Sequence, residues 1–169
     1  KPTIDVTSSN IEHSNITFAL RGFYLNPVFI DDIEYFMVKF PTGATILEEG
    51  KPYLQKISAS IIIPDNKNMN LEIISSNYVE YENINIAPSK GNLSRLVNPQ
   101  DIPYIFGDIY DQNNYYPEDI AILNDPYILR DFRGQVLQIN PIQYNPVTKI
   151  LRIYTDIDIQ VTSNDDPAV

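Results

Sequence analysis

Apolar residues along this chain alternate with polar ones rather than recurring every three or four positions, which predicts strands and not helices. Residues 3–7 alternate and predict a first strand, and residues 15–20 and 33–40, richer in β-branched and aromatic side chains, predict two more. Residues 24–31 predict a shorter strand broken at Asn26 and Pro27. After a turn at Gly50, Lys51 and Pro52, Ile57, Ala59, Ile61 and Ile63 alternate with Ser58 and Ser60 until Pro64 stops the run. Residues 71–75 and 78–81 predict a hairpin turning at Ser76 and Asn77.

The strongest pattern lies near the end, where residues 135–143 and 150–161 predict a hairpin around Asn145 and Pro146. Leu151, Ile153, Thr155, Ile157, Ile159 and Val161 share one face of its second strand. Arg152, Tyr154, Asp156, Asp158 and Gln160 share the other, as in a half-buried antiparallel strand. A slip of one residue would bury two aspartates, so the register is strongly specified.

Between these regions the alternation fades. Pro99, Pro103, Pro117 and Pro126 fall close together, and residues 111–127 predict a long loop. Loops beyond about 12–15 residues are uncommon in compact domains and often functional. Tyr104, Tyr110, Tyr115, Tyr116 and Tyr127 crowd this part of the chain. Such a cluster suits a protein interface or a sugar platform. The expected architecture is all-β: an antiparallel two-sheet β-sandwich, jelly-roll-like, in one domain over residues 1–161. Asn164, Asp165, Asp166 and Pro167 read as a flexible exit, so residues 162–169 are expected to form a C-terminal tail.

Composition narrows the function. A chain of 169 residues, 43% of them hydrophobic, can bury a core without a disulfide or a metal. Its net charge of −10 repels phosphate backbones, so nucleic acid is not an expected partner. No apolar run approaches the ~18 residues of a spanning helix, so membrane insertion is not expected either. The acidic pairs Asp31 and Asp32, Glu118 and Asp119, and Asp165 and Asp166 lack the spacing of a calcium loop. With no cysteine and one histidine, His13, the chain cannot build a thiolate site or a multi-imidazole zinc site. His13 has no nucleophile motif to serve. Two acids across a cleft could hydrolyse a glycoside, but among 22 acidic residues some pair always looks suitable. The reading is therefore of a domain with no catalytic residue, no metal ligand and no cofactor.

Three segments carry a resemblance. The order Arg130-Asp131-Phe132-Arg133, then Pro141-Ile142-Gln143-Tyr144-Asn145-Pro146, then Leu151-Arg152-Ile153-Tyr154 resembles the end of the N-terminal prodomain of gingipain-type (clan CD) cysteine peptidases. Gly50-Lys51-Pro52-Tyr53-Leu54, with Gln55 where the pattern has a second proline, and Ile86-Ala87-Pro88-Ser89 extend it across roughly residues 33–161. The resemblance implies a non-catalytic prodomain of a secreted or cell-surface peptidase. It would occlude the active-site cleft of a catalytic domain downstream in the same precursor, and would assist that domain's folding. It also implies a protease-facing loop before the Arg-x-x-Arg strand, here residues 111–126. Within it Asn113, Asn114, Tyr115, Tyr116, Pro117 and Glu118 are the expected contacts, with Tyr115 and Tyr116 as exposed anchors. The loop carries no Lys or Arg, which implies that the pocket it meets is not an acidic one. An extracellular adhesion or carbohydrate-binding β-module is the alternative that the tyrosines suggest.

Overall fold

A computed structural model describes residues 1–167, and its order of elements is all strand apart from two short 3-10 turns. The strands are β1 (Thr3–Asn10), β2 (His13–Ala19), β3 (Tyr24–Ile30), β4 (Ile33–Lys39), β5 (Ala44–Thr45) and β6 (Gln55–Ile62). They continue with β7 (Lys67–Tyr81), β8 (Ala121–Leu123), β9 (Tyr127–Leu129), β10 (Phe132–Ile139), β11 (Ile142–Asn145) and β12 (Ile150–Pro167). Every strand pairing is antiparallel.

The alternating run near the C-terminus organises the first five-stranded sheet. β12 pairs with β7 along one edge and with β11 and then β2 along the other, and β1 lies outside β2. In the second sheet β10 pairs with β6 on one side and with β8 and β9 on the other, while β5 extends β6. β3 and β4 form a separate ribbon.

Ile16 and Phe18 of β2, the odd-numbered apolar residues of β12, and Leu137 and Ile139 of β10 join in one buried core. Each fully buried side chain of this size contributes about 1.5–3 kcal/mol. That burial is the physical reason the two sheets face one another, as the alternation predicts.

Four local expectations change. The run 135–143 is not one strand of a hairpin: the chain changes sheet at Asn140 and Pro141. Residues up to Ile139 pair in the second sheet, and only Ile142–Asn145 faces β12. Pro141 has no N–H to continue a ladder. Asn140 is the last residue in line with β8: its N–H donates to the Ile120 carbonyl at 2.8 Å, one step beyond the Ile139–Ala121 pair, and its Nδ2 donates to the Asp119 carbonyl at 2.8 Å.

Ser76 and Asn77 do not turn either. Neither has a positive φ, which the favoured two-residue hairpin turns require, and the long partner β12 keeps 67–81 extended as one strand. Pro27 does not break its strand. It sits opposite Phe36 in a two-stranded ribbon, where a missing N–H on the outer edge costs no ladder bond. At the C-terminus, β12 runs past Val161, with Thr162 opposite Asn70 and Ser163 opposite Met69. The expected tail therefore begins in strand, and its last two residues, Ala168 and Val169, lie outside the described residues. Asp31 and Asp32, both at positive φ (49° and 63°), make the tight turn of the β3–β4 ribbon.

Candidate functional site: a pinned segment and a projecting hairpin

The segment expected to face a protease is bolted to the domain. Tyr115, Tyr116 and Pro117 are half-buried, while Asn113, Asn114 and Glu118 are exposed. Tyr116 exchanges two backbone hydrogen bonds with Tyr144, at 2.9 and 2.8 Å, as a short added bridge beside β11. Gln143 Nε2 donates to the carbonyls of Pro117 and Glu118 at 2.8 and 3.1 Å. Asn145 Nδ2 donates to Asn113 Oδ1 at 2.8 Å. The Gln-Tyr-Asn of the turn motif is thus the seat on which residues 113–118 lie. All four residues of β11 are buried, and buried polar groups need partners. Two buried amides flanking a tyrosine beside a turn were the signal that another backbone segment had to meet them.

Tyr115 is no free anchor. Its ring lies 3.9 Å from the Arg152 guanidinium carbon, and its hydroxyl donates to Glu80 Oε1 at 3.1 Å. Arg152 donates to the same carboxylate oxygen through Nε and Nη2, at 2.9 and 2.7 Å, and lies 4.4 Å from the Tyr78 ring. The hydrogen bonds from Arg152 hold the Glu80 carboxyl below its ordinary range. Tyr154, expected on the polar face, is buried and donates its hydroxyl to Gln143 Oε1 at 2.9 Å. Burial, with the Glu48 carboxylate nearby, pushes the Tyr116 phenol well above its ordinary value.

The other tyrosines of the cluster have partners of their own. Tyr110 donates to the Ile86 carbonyl at 2.9 Å, and Lys90 Nζ sits 4.1 Å from the Tyr104 ring centre. No common aromatic platform forms among these five, so the observation behind the sugar-binding alternative dissolves.

A different element is exposed. From 124 to 132 every residue is on the surface, and β9 and β10 make a hairpin whose turn is Arg130 and Asp131. Ile128 is 79% exposed, Leu129 65% and Phe132 61%. Monomeric proteins seldom leave such a run of large apolar side chains in water without use. Arg130, at the apex with φ 54°, has no hydrogen-bond or ionic partner among the described residues. The loop 111–126 lacks a basic residue, but the chain presents one four positions later, at the exposed turn of this hairpin.

The base of the hairpin is fixed. Arg133 Nη1 donates to the carbonyls of Pro64 and Lys67 at 3.0 and 2.6 Å. Gly134, opposite Tyr127, leaves room for that ring: a Cβ there would come within 2.7 Å of it. The Arg-x-x-Arg-Gly run therefore holds one arginine outward, one arginine as an anchor, and a glycine as the bed of an aromatic ring. Sequence reading missed this hairpin because it treated these residues as the approach to the next strand.

The chain is similar to known proteins. The family model described as Propeptide_C25 matches residues 1–169. Gingipain R1 of Porphyromonas gingivalis is 46% identical over 133 residues, which is 77% of this chain and 13% of that protein's length. A solved complex of the pro- and mature domains of RgpB from Porphyromonas gingivalis matches with a TM-score of 0.94 and 37% identity, covering 98% of this chain and 87% of that one. A structure addressing the zymogenic latency of gingipain K from the same organism shares the fold, with a TM-score of 0.80 at 19% identity, over 98% of this chain and 93% of that one. The chain belongs to the Propeptide_C25 family, and it is a propeptide rather than a catalytic unit.

Proposed function

We propose that the domain keeps a gingipain-like cysteine peptidase latent and assists its folding, as part of one precursor that acts outside the cell. The observation that carries this reading is the β9–β10 hairpin. Ile128, Leu129 and the apical Arg130 are exposed, while Arg133, paired opposite Ile128, anchors the ribbon to the Pro64 and Lys67 carbonyls. A preorganised protrusion enters a cleft with little loss of conformational freedom. A single unpaired arginine at the apex suits a pocket that carries negative charge, and apolar neighbours suit the walls beside it. The solved RgpB complex places a related prodomain against a mature domain, which supports the same pairing here. The segment 113–118 contributes by holding the scaffold and not by touching the peptidase.

The test is inhibition of the peptidase domain encoded after this chain in its own precursor. The domain should inhibit peptide hydrolysis at submicromolar concentration and raise the yield of active peptidase on refolding. An inert domain in both assays would remove the proposal.

A further inference from the structure

Beyond the hairpin, one groove at the same end of the sandwich has no assigned use. It lies between the β1–β2 hairpin and the end of β6, and Val6, Ile11, Ile61 and Ile62 line it with Asn10 and serines. No charged residue lines it, in a chain whose net charge is −10. Val6 is 58% exposed, Ile11 60% and Ile62 61%.

The groove is joined to the hairpin by direct pairing. Ile62 sits opposite Gly134, the residue on which Tyr127 lies, and the Ile63 N–H donates to the Arg133 carbonyl at 3.0 Å. Ile62, Tyr127, Leu129 and Phe132 therefore share the outward face of the second sheet. The β1–β2 turn is tied to the same end. Glu12 accepts from Lys67 Nζ at 2.7 Å, and the carbonyl of Lys67 accepts from Arg133.

We propose that this groove is a second docking surface for the peptidase domain, one that grips the enzyme's outer wall beside the cleft rather than entering it. The inference rests on the function proposed above. Its argument is area. A specific interface buries about 800 Å² on each partner. The hairpin, residues 127–134, falls well short of the roughly 20–30 residues a side that such an interface uses. The groove is exposed, apolar and continuous with the hairpin, so it supplies the missing contact without any further rearrangement. The surface it fits is apolar and uncharged. Such a contact mainly slows dissociation.

Two measurements test it, both with the peptidase domain of the chain's own precursor. The first is hydrogen exchange of the prodomain with and without the enzyme. Protection should appear at the hairpin and also at the amides of residues 11–13 and 58–62. The second is the inhibition constant of Ile11→Ser combined with Ile62→Ser. It should rise at least tenfold, through faster dissociation, while the urea midpoint stays unchanged. Protection at the hairpin alone, or an unchanged inhibition constant, overturns the groove and leaves the latency reading standing. Protection at neither place overturns both. If the free domain pairs with itself, and the double variant abolishes that pairing without changing inhibition, the groove belongs to a second copy and the proposal fails.

Discussion

Residues 113–118 and the hairpin 127–134 lie close together in the chain and look alike on paper. Each mixes aromatics, polar residues and a turn-former, yet they end in opposite states. The first is held by backbone bonds to Tyr144 and amide bonds from Gln143 and Asn145, and it covers the far end of β11. The second is a short ribbon paired right up to its turn, and it leaves the side chains of Ile128, Leu129 and Phe132 in water. The difference lies in partners elsewhere in the chain. A Tyr-Tyr-Pro stretch is exposed or pinned according to whether a distant strand offers it donors, and here the motif around Gln143 does so. Composition sets what a segment can do, and distant pairing decides which segment remains free to do it.

Substitutions should separate the two regions sharply. The largest effect is expected at Tyr144, which is 2% exposed and donates its hydroxyl to the Ile84 carbonyl at 2.8 Å. Tyr144→Ala should cost about 3–5 kcal/mol, as large aromatic-to-alanine changes in cores do. Urea unfolding measures it, and a loss below about 1 kcal/mol would mean that the seat of the pinned segment is not part of the core.

Gln143→Ala comes next. It leaves the Pro117 and Glu118 carbonyls and the Tyr154 hydroxyl without their partner. The expected loss is about 1–3 kcal/mol. Hydrogen exchange should quicken at Tyr116, while the hairpin amides keep their rates.

Alkaline titration gives a third contrast. Burial pushes the Tyr144 phenol up to about 12, so the fold favours its neutral form. Its folded value lies above the ordinary value of about 10. The stabilisation is therefore complete below pH 10 and is lost as pH rises through about 12. Urea midpoints taken from pH 9 to 12 should fall, and Tyr144→Phe should make that fall shallower. Midpoints that stay level across this range would contradict the buried placement.

The smallest effect on stability belongs to the hairpin. Ile128→Ser with Leu129→Ser should change it by no more than about 0.5 kcal/mol, as exposed substitutions do. A larger loss would show that the tip packs on the domain and is not free.

The sheet content was legible because alternation is local: β12 announces a buried face, and β6 a partly buried one, through isoleucines at alternate positions. The Asn140–Pro141 crossing was not, since a proline inside a run reads equally as a turn or as a change of sheet. Nor was the unbroken β7, because only the length of β12 keeps Ser76 and Asn77 extended. At the candidate site, Arg130, Arg133 and Gly134 stood out as a motif. Their separate duties depend on the carbonyls of Pro64 and Lys67 and on the Tyr127 ring, which no local pattern brings near. The partial burial of Tyr115 was not legible for the same reason, since Arg152 and Glu80 reach it from two other strands.

The central claim is that the hairpin, and not the tyrosine segment, meets the peptidase. The direct measurement is the inhibition constant of three proteins against the precursor's own peptidase domain: wild type, Arg130→Ala with Ile128→Ser, and Tyr115→Ala with Tyr116→Ala, each referred to its folded concentration. The hairpin variant should lose at least tenfold in inhibition, about 1.4 kcal/mol, while the tyrosine variant stays within about twofold of wild type. The reverse pattern, with the hairpin variant inhibiting like wild type and the tyrosine variant weakened tenfold, would contradict the account.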